Sequence, residues 1–201
     1  YYDCVPLPGG RFALVVADVA GKGIQAALLV SSFHAFLSAY LENTVPLLEM
    51  ARNLNRAVFR ASTSDKFITG FLAILNPASG EIETLNAGHT LGYLLGIDGR
   101  VRELGTGGIP FGMLDMDFPF QSESSTIGPG ERLLLYSDGV TEAANGQYEL
   151  YDVANPLREF MIRQKPDRAD DFIQALITDV RRFTGSAPQS DDITALYLLR
   201  H

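Results

Sequence analysis

Three aspartates stand where short apolar runs meet polar turns, and together they could hold hard cations. Asp18 follows the run from Arg11 to Ala17 (RFALVVA) and leads into Val19-Ala20-Gly21-Lys22-Gly23. Asp138 follows the run from Arg132 to Tyr136 and Ser137, and precedes Gly139. Asp191, with Asp192 beside it, opens the run that continues to Leu199. Carboxylates at the rims of neighbouring strands can converge on one patch, where like charges raise one another's pKa unless a counter-ion intervenes. Oxygen ligands of this kind suit Mg2+ or Mn2+. Ordinary turn chemistry accounts for any one Asp-Gly step. Three aspartate sites, each beside a strongly apolar run, raise the odds that the carboxylates converge.

Other reactive side chains read as supporting parts. His89 follows Gly88 in a turn, where a structural hydrogen bond is expected. His34 lies mid-helix among apolar residues and reads as packing, and His201 is terminal. Lys22 is a solvated lysine at a helix start, with phosphate contact as the alternative. Gly105-Thr106-Gly107-Gly108 lacks the strand, helix and spacing of a dinucleotide loop, and Pro110 opposes a helix there. Gly21-Lys22-Gly23 lacks the Ser/Thr of a P-loop. The lone Cys4 allows no internal disulfide and no cysteine-based zinc cluster, which fits a reducing compartment.

Stepwise spacing assigns the elements that must position these residues. The chain has 201 residues, 46% of them apolar, a length that suits a single domain over 1–201. Its net charge of −8 makes it a poor partner for nucleic acid or an anionic membrane. No unbroken apolar run approaches the ~20 residues of a membrane span. After the first strand, a helix is expected from Ile24 to Leu41. It carries one large apolar face (Leu29, Phe33, Phe36, Leu37, Tyr40) and one small face (Ala27, Ser31, Ala35, Ala39), as if sandwiched between neighbours. A second helix starts near Thr44-Pro46. Strands follow at 67–75, 81–85 and 91–97, with Asp98-Gly99 turning into 100–104. Residues 115–126 hold another extended segment, 132–136 form a strand, 147–164 and 170–183 are helices, and a last strand opens at Asp191. Helices grouped around antiparallel strands read as α+β.

The ordered motifs carry a family resemblance. VVADVAGKGIQAALL with its helical hairpin resembles the opening of the PPM (type 2C-like) protein phosphatases in their bacterial SpoIIE/RsbU-like branch. Phe67-Ile68-Thr69, Asn86-Ala87-Gly88-His89, Gly108-Ile109-Pro110-Phe111-Gly112, Gly128-Pro129-Gly130-Glu131, the run Leu133–Ala143 containing Ser137-Asp138-Gly139, and Ser190-Asp191-Asp192-Ile193-Thr194 follow in the branch's order. The resemblance implies an antiparallel β-sandwich flanked by helices in four αββα layers. It implies two Mn2+ or Mg2+ ions held by Asp18, the Val19 carbonyl, Asp138 and Asp191, with Asp18 bridging. Asp192 would orient Asp191 or tie down the loop, and Gly139 would support the turn. A water between the cations would lose its proton near neutral pH and attack phosphorus in line. The resemblance implies a cytoplasmic signalling protein whose substrate is phosphoserine or phosphothreonine on an anti-anti-sigma (STAS) partner, under an upstream sensor or receiver domain.

Two departures shape the expectation. The family's first ligand aspartate precedes the tyrosines, so it would lie before Tyr1, in a strand that the chain as given lacks. The chain therefore reads as a domain cut from a longer protein, and a partner-binding pseudophosphatase becomes the alternative function. Asp3 is at most a weak substitute, because strand alternation governs which face it takes. The His that eukaryotic relatives place two residues after the bridging aspartate is here Ala20. The hairpin after Asp18 suggests a regulatory role for Leu29 and Phe33, since shifting it would move both Asp18 and Val19.

Overall fold

Short apolar runs bounded by glycine turns become strands, and runs with helical spacing become helices. The structure, a computed structural model, describes residues 1–62, 66–154, 156–165, 167–189 and 191–201. Ser190 of the last motif and Asn155 of the expected 147–164 helix lie outside the described residues. In chain order the elements are β1 (Tyr2–Leu7), β2 (Arg11–Val19), α1 (Ile24–Glu42), α2 (Leu47–Ala61), β3 (Ile68–Leu75), β4 (Glu81–Ala87), β5 (Gly92–Leu95) and β6 (Val101–Leu104). They continue with β7 (Gly107–Gly108), β8 (Glu123–Thr126), β9 (Arg132–Tyr136), α3 (Asp138–Thr141), α4 (Tyr151–Ala154), α5 (Leu157–Arg163), α6 (Ala169–Thr184) and β10 (Ala195–Leu199). The fold is α+β. The chain divides into two units, residues 1–89 with 104–126, and residues 90–103 with 127–201.

The first unit is a six-stranded sheet carrying α1 and α2. Its strands run β1-β2-β3-β4, and β4 pairs along its far edge with β8 antiparallel and β7 parallel. Alternation on β2 sends Ala13, Val15 and Ala17 into a core with Phe33 and Leu37 of α1 and Leu54 of α2. Phe33 packs between the rings of Tyr1 and Phe111, at centroid distances of 5.8 and 6.0 Å. The small face of α1 is not sandwiched as expected: Ala27, Ser31, Ala35 and Ala39 are exposed, because the core lies on the opposite side of the helix. By length and composition α1 also meets the requirement for a membrane span, contrary to the reading of run lengths, although Leu29, Phe33, Leu37 and Leu41 are buried in this core.

The second unit is a four-stranded sheet, β10-β9-β5-β6, packed with helices. Its neighbours β10 and β5 both run antiparallel to β9. Its core joins Leu95, Leu134 and Tyr136 to Phe160, Phe172 and Val180. Phe172 stacks on Tyr197 with centroids 3.9 Å apart and planes 8° from parallel. The expected 147–164 helix is broken. Asn145 Oδ1 accepts the N–H groups of Gln147 and Glu149, and Tyr148 sits at φ 62°, so a turn forms first. Helix resumes as α4, stops before Pro156, and restarts as α5. The last strand begins at Ala195, not Asp191, because Ser137 diverts the backbone just before it.

Candidate functional site

In the first unit, Asp18 and Val19 end β2. Asp18 pairs with Thr69 and Val19 with Ile68 across β3. The Ile68 N–H donates to the Phe111 carbonyl at 2.9 Å, which leaves Val19's carbonyl out of the β2–β3 ladder. The following turn needs glycine, with Gly21 at φ 104° and Gly23 at φ 86°. A Cβ at Gly21 would lie 2.5 Å from Lys66 Nζ, so Lys66 is drawn over the turn that presents Asp18, while Lys22 is exposed. Sequence reasoning missed Lys66. The signal was the β2–β3 register: the Ala20 N–H donates to the Phe67 carbonyl, which brings Lys66 alongside Gly21.

Thr69 ties this turn to the glycine motifs. Its hydroxyl lies 3.5 Å from the Asp18 carbonyl and 2.9 Å from His89 Nδ1. The His89 N–H donates to Asn86 Oδ1 at 2.7 Å, and Asn86 Nδ2 donates back to the His89 carbonyl at 3.1 Å. The hydrogen-bonding role expected of His89 is the one observed. Gly88 is left-handed, and a side chain there would meet Pro110. The Asn-Ala-Gly-His and Gly-Ile-Pro-Phe-Gly segments are thus recognisable in sequence because they pack on each other.

Asp3 does not substitute for a ligand beside Asp18. It pairs with Val15, so alternation places it on the helix-bearing face of the sheet, while Asp18, three residues past Val15, takes the other face. Its carboxylate accepts the Tyr1 hydroxyl at 2.9 Å and the Cys4 N–H at 2.8 Å. His34 is not packed in the core as expected. It is exposed, with Nδ1 2.9 Å from the Tyr1 hydroxyl, because it falls beside the buried stripe of α1 and not on it.

In the second unit, β9 delivers Ser137-Asp138-Gly139 into α3, and Ser137 locks the Asp191-Asp192 segment beside it. The buried Ser137 Oγ donates to the Asp192 carbonyl at 3.1 Å and accepts the Thr194 N–H at 3.0 Å. The Ser137 N–H donates to the Thr194 carbonyl at 2.9 Å. Gly139 lies so close to the Asp192 carbonyl that no side chain fits. Asp138 is half-buried as the first residue of α3, and Asp191 and Asp192 are exposed. Asp191 Oδ1 accepts the Asp192 N–H at 2.8 Å, which orients that carboxylate. Burial, then the Tyr93 hydrogen bond and the charges of Asp152 and Glu103, push the Tyr136 hydroxyl far above the ordinary phenol range, so it stays a neutral donor.

The structure therefore joins Asp138 and Gly139 to Asp191-Asp192 within the second unit, and Asp18 to Val19 within the first. Leu29 and Phe33 lie in the core of the first unit, 4% and 1% exposed. Among the described residues, no three His, Cys, Asp or Glu side chains gather closely enough to cage a metal. The donors on offer are carboxylates and one carbonyl outside its ladder, an all-oxygen set that fits Mg2+ or Mn2+ better than a soft metal.

Known proteins are similar to this chain in sequence and fold. The model of the family described as stage II sporulation protein E (SpoIIE) matches residues 8–201. Phosphoserine phosphatase RsbU of Bacillus subtilis is 29% identical over 167 residues, covering 82% of this chain and 50% of that protein. A crystal structure of the RsbU and RsbW domains of a Mycobacterium tuberculosis protein matches at a TM-score of 0.81 and 25% identity, covering 100% of this chain and 56% of the other. The SiaA-PP2C domain of Pseudomonas aeruginosa matches in fold at a TM-score of 0.83 and 20% identity, over 100% of this chain and 80% of that one. The chain spans half the length of the curated relative RsbU. With the family model running from residue 8 to the last residue, this chain belongs to the SpoIIE family.

Proposed function

We propose that this chain hydrolyses phosphoserine or phosphothreonine on a protein, with two Mn2+ or Mg2+ ions held by Asp18, Val19, Asp138 and Asp191. The observation that carries the reading is the Ser137 lock, which fixes Asp191-Asp192 against the turn that presents Asp138. When bound, such cations supply an acidified water and positive charge opposite the phosphoryl oxygens. Asp18 offers its carboxylate and Val19 its carbonyl from one strand end, so a single backbone position sets both. Asp192 orients Asp191 through its N–H, and Gly139 lets the Asp192 backbone approach α3. No side chain at position 20 delivers a proton to the leaving alkoxide, because that residue is alanine.

The relatives suggest the setting. RsbU bears the name phosphoserine phosphatase, which supports a phosphorylated protein as substrate. A STAS-type anti-anti-sigma factor as that substrate, an upstream sensor or receiver domain and a cytoplasmic location complete the proposal. Leu29 and Phe33 would regulate it, since α1 joins Asp18 and Val19 through the Gly21–Gly23 turn. A second reading is a pseudophosphatase that binds its partner without turnover. Manganese soaked into crystals separates the two. Two ions about 3.5–4 Å apart beside Asp18 support hydrolysis, and no bound ion supports the binding module.

A further inference from the structure

Lys66 has no role in the proposed hydrolysis, yet its side chain is built against the turn that presents Asp18. The Ala20 N–H donates to the Phe67 carbonyl at 2.9 Å, one step beyond the Val19–Ile68 pair, so Lys66 stands across from Gly21. From there the side chain closes on Gly21 towards its charged end. A Cβ at Gly21 would lie 3.3 Å from Lys66 Cδ, 3.0 Å from Cε and 2.5 Å from Nζ. A surface lysine ordinarily does the reverse, laying its stem on the protein and turning its ammonium out to water. Lys22, in the same turn, is exposed, whereas Lys66 is half-buried. Holding a long side chain in one place costs rotamer freedom, so a group in the turn must attract the ammonium. The turn offers two oxygen donors, the Asp18 carboxylate and the Val19 carbonyl, and the carboxylate carries the charge. Gly21 clears the space, since a side chain there would strike the ammonium.

We propose that the Lys66 ammonium is the cation this turn carries before a metal ion binds, paired with Asp18, and that a metal ion enters by displacing it. The inference rests on the proposed reading of Asp18 and Val19 as cation ligands. A divalent cation and an ammonium crowded on one carboxylate repel each other. Lys66 is therefore a positioning residue with two opposed effects. It orients the Asp18 carboxylate while no metal is bound, and it makes metal binding weaker than the oxygen donors alone would give. The β2–β3 register holds Lys66 beside the turn throughout, so the ammonium returns when the metal leaves.

The test titrates manganese into the full chain by calorimetry, after chelator treatment, and compares Lys66→Met, Lys66→Arg and Lys22→Met. Lys66→Met keeps the stem and loses the charge, and should bind manganese about fivefold more tightly. A merely structural lysine would have the opposite sign, because a loosened turn binds metal less well. Lys66→Arg keeps a cation and should stay near the unaltered affinity. Lys22→Met removes the same charge from an exposed position and should change affinity less than about twofold. A double-mutant cycle on unfolding midpoints, run in chelator alone, reads the pair directly. Lys66→Met should lower the midpoint in the unaltered chain and by much less in an Asp18→Asn background. Equal or weaker manganese binding by a folded Lys66→Met protein overturns the proposal, as does an equal gain from Lys22→Met or zero coupling in the cycle. Failure of the phosphatase reading looks different: none of these proteins binds manganese, and the cycle in chelator still decides whether Lys66 pairs with Asp18.

Discussion

The two units hold their aspartates by different means. Asp18 is the penultimate residue of a nine-residue strand paired on both sides, with a helical layer packed beneath it. Its position follows from many ladder bonds and a large core, none of them decisive alone. Asp138 and Asp191 depend on a few atoms: one serine hydroxyl, one glycine without a side chain, and the Asp192 backbone. A redundant ladder tolerates local change, whereas a lock of this kind fails when one group is lost.

That contrast can be broken by substitution. Phe33→Ala strikes the first unit's core and should cost about 3–5 kcal/mol of stability in denaturant titration, the largest effect expected. In the protein that remains folded, metal affinity should fall for Phe33→Ala and Leu29→Ala alike, as calorimetry would show; unchanged affinity would remove their regulatory role. Gly139→Ala forces a methyl against the Asp192 carbonyl, and should cost about 3 kcal/mol, with turnover falling further than stability explains. Ser137→Ala strands the Thr194 N–H and should cost about 1–2 kcal/mol, with a matching loss of manganese affinity. Thr69→Val removes one hydroxyl from a strand that stays paired, and should cost no more than about 1 kcal/mol. An equal effect on metal binding from Thr69→Val and Ser137→Ala would erase the distinction between ladder and lock.

The strands were legible because glycine turns and apolar runs mark them, and Asp18, Asp138 and Asp191 stood out at their ends. The lock itself was hidden. Ser137 reads in sequence as part of a motif, and nothing local shows that its hydroxyl reaches Asp192, 55 residues away. Lys66 was hidden for the same reason, since its place over Gly21 follows only from the β2–β3 register. The 147–164 helix misled because its apolar spacing is helical, while Asn145 and Pro156 impose a turn and a restart. The small face of α1 misled because small residues suit both a tight interface and an exposed surface.

The most direct test is manganese-dependent phosphate release from a phosphoserine peptide, comparing the unaltered chain with Asp138→Asn. Release by the first, falling about 100-fold or more in the second, is the predicted result. Equal release from both proteins, or release that ignores manganese, would contradict the assignment of these carboxylates.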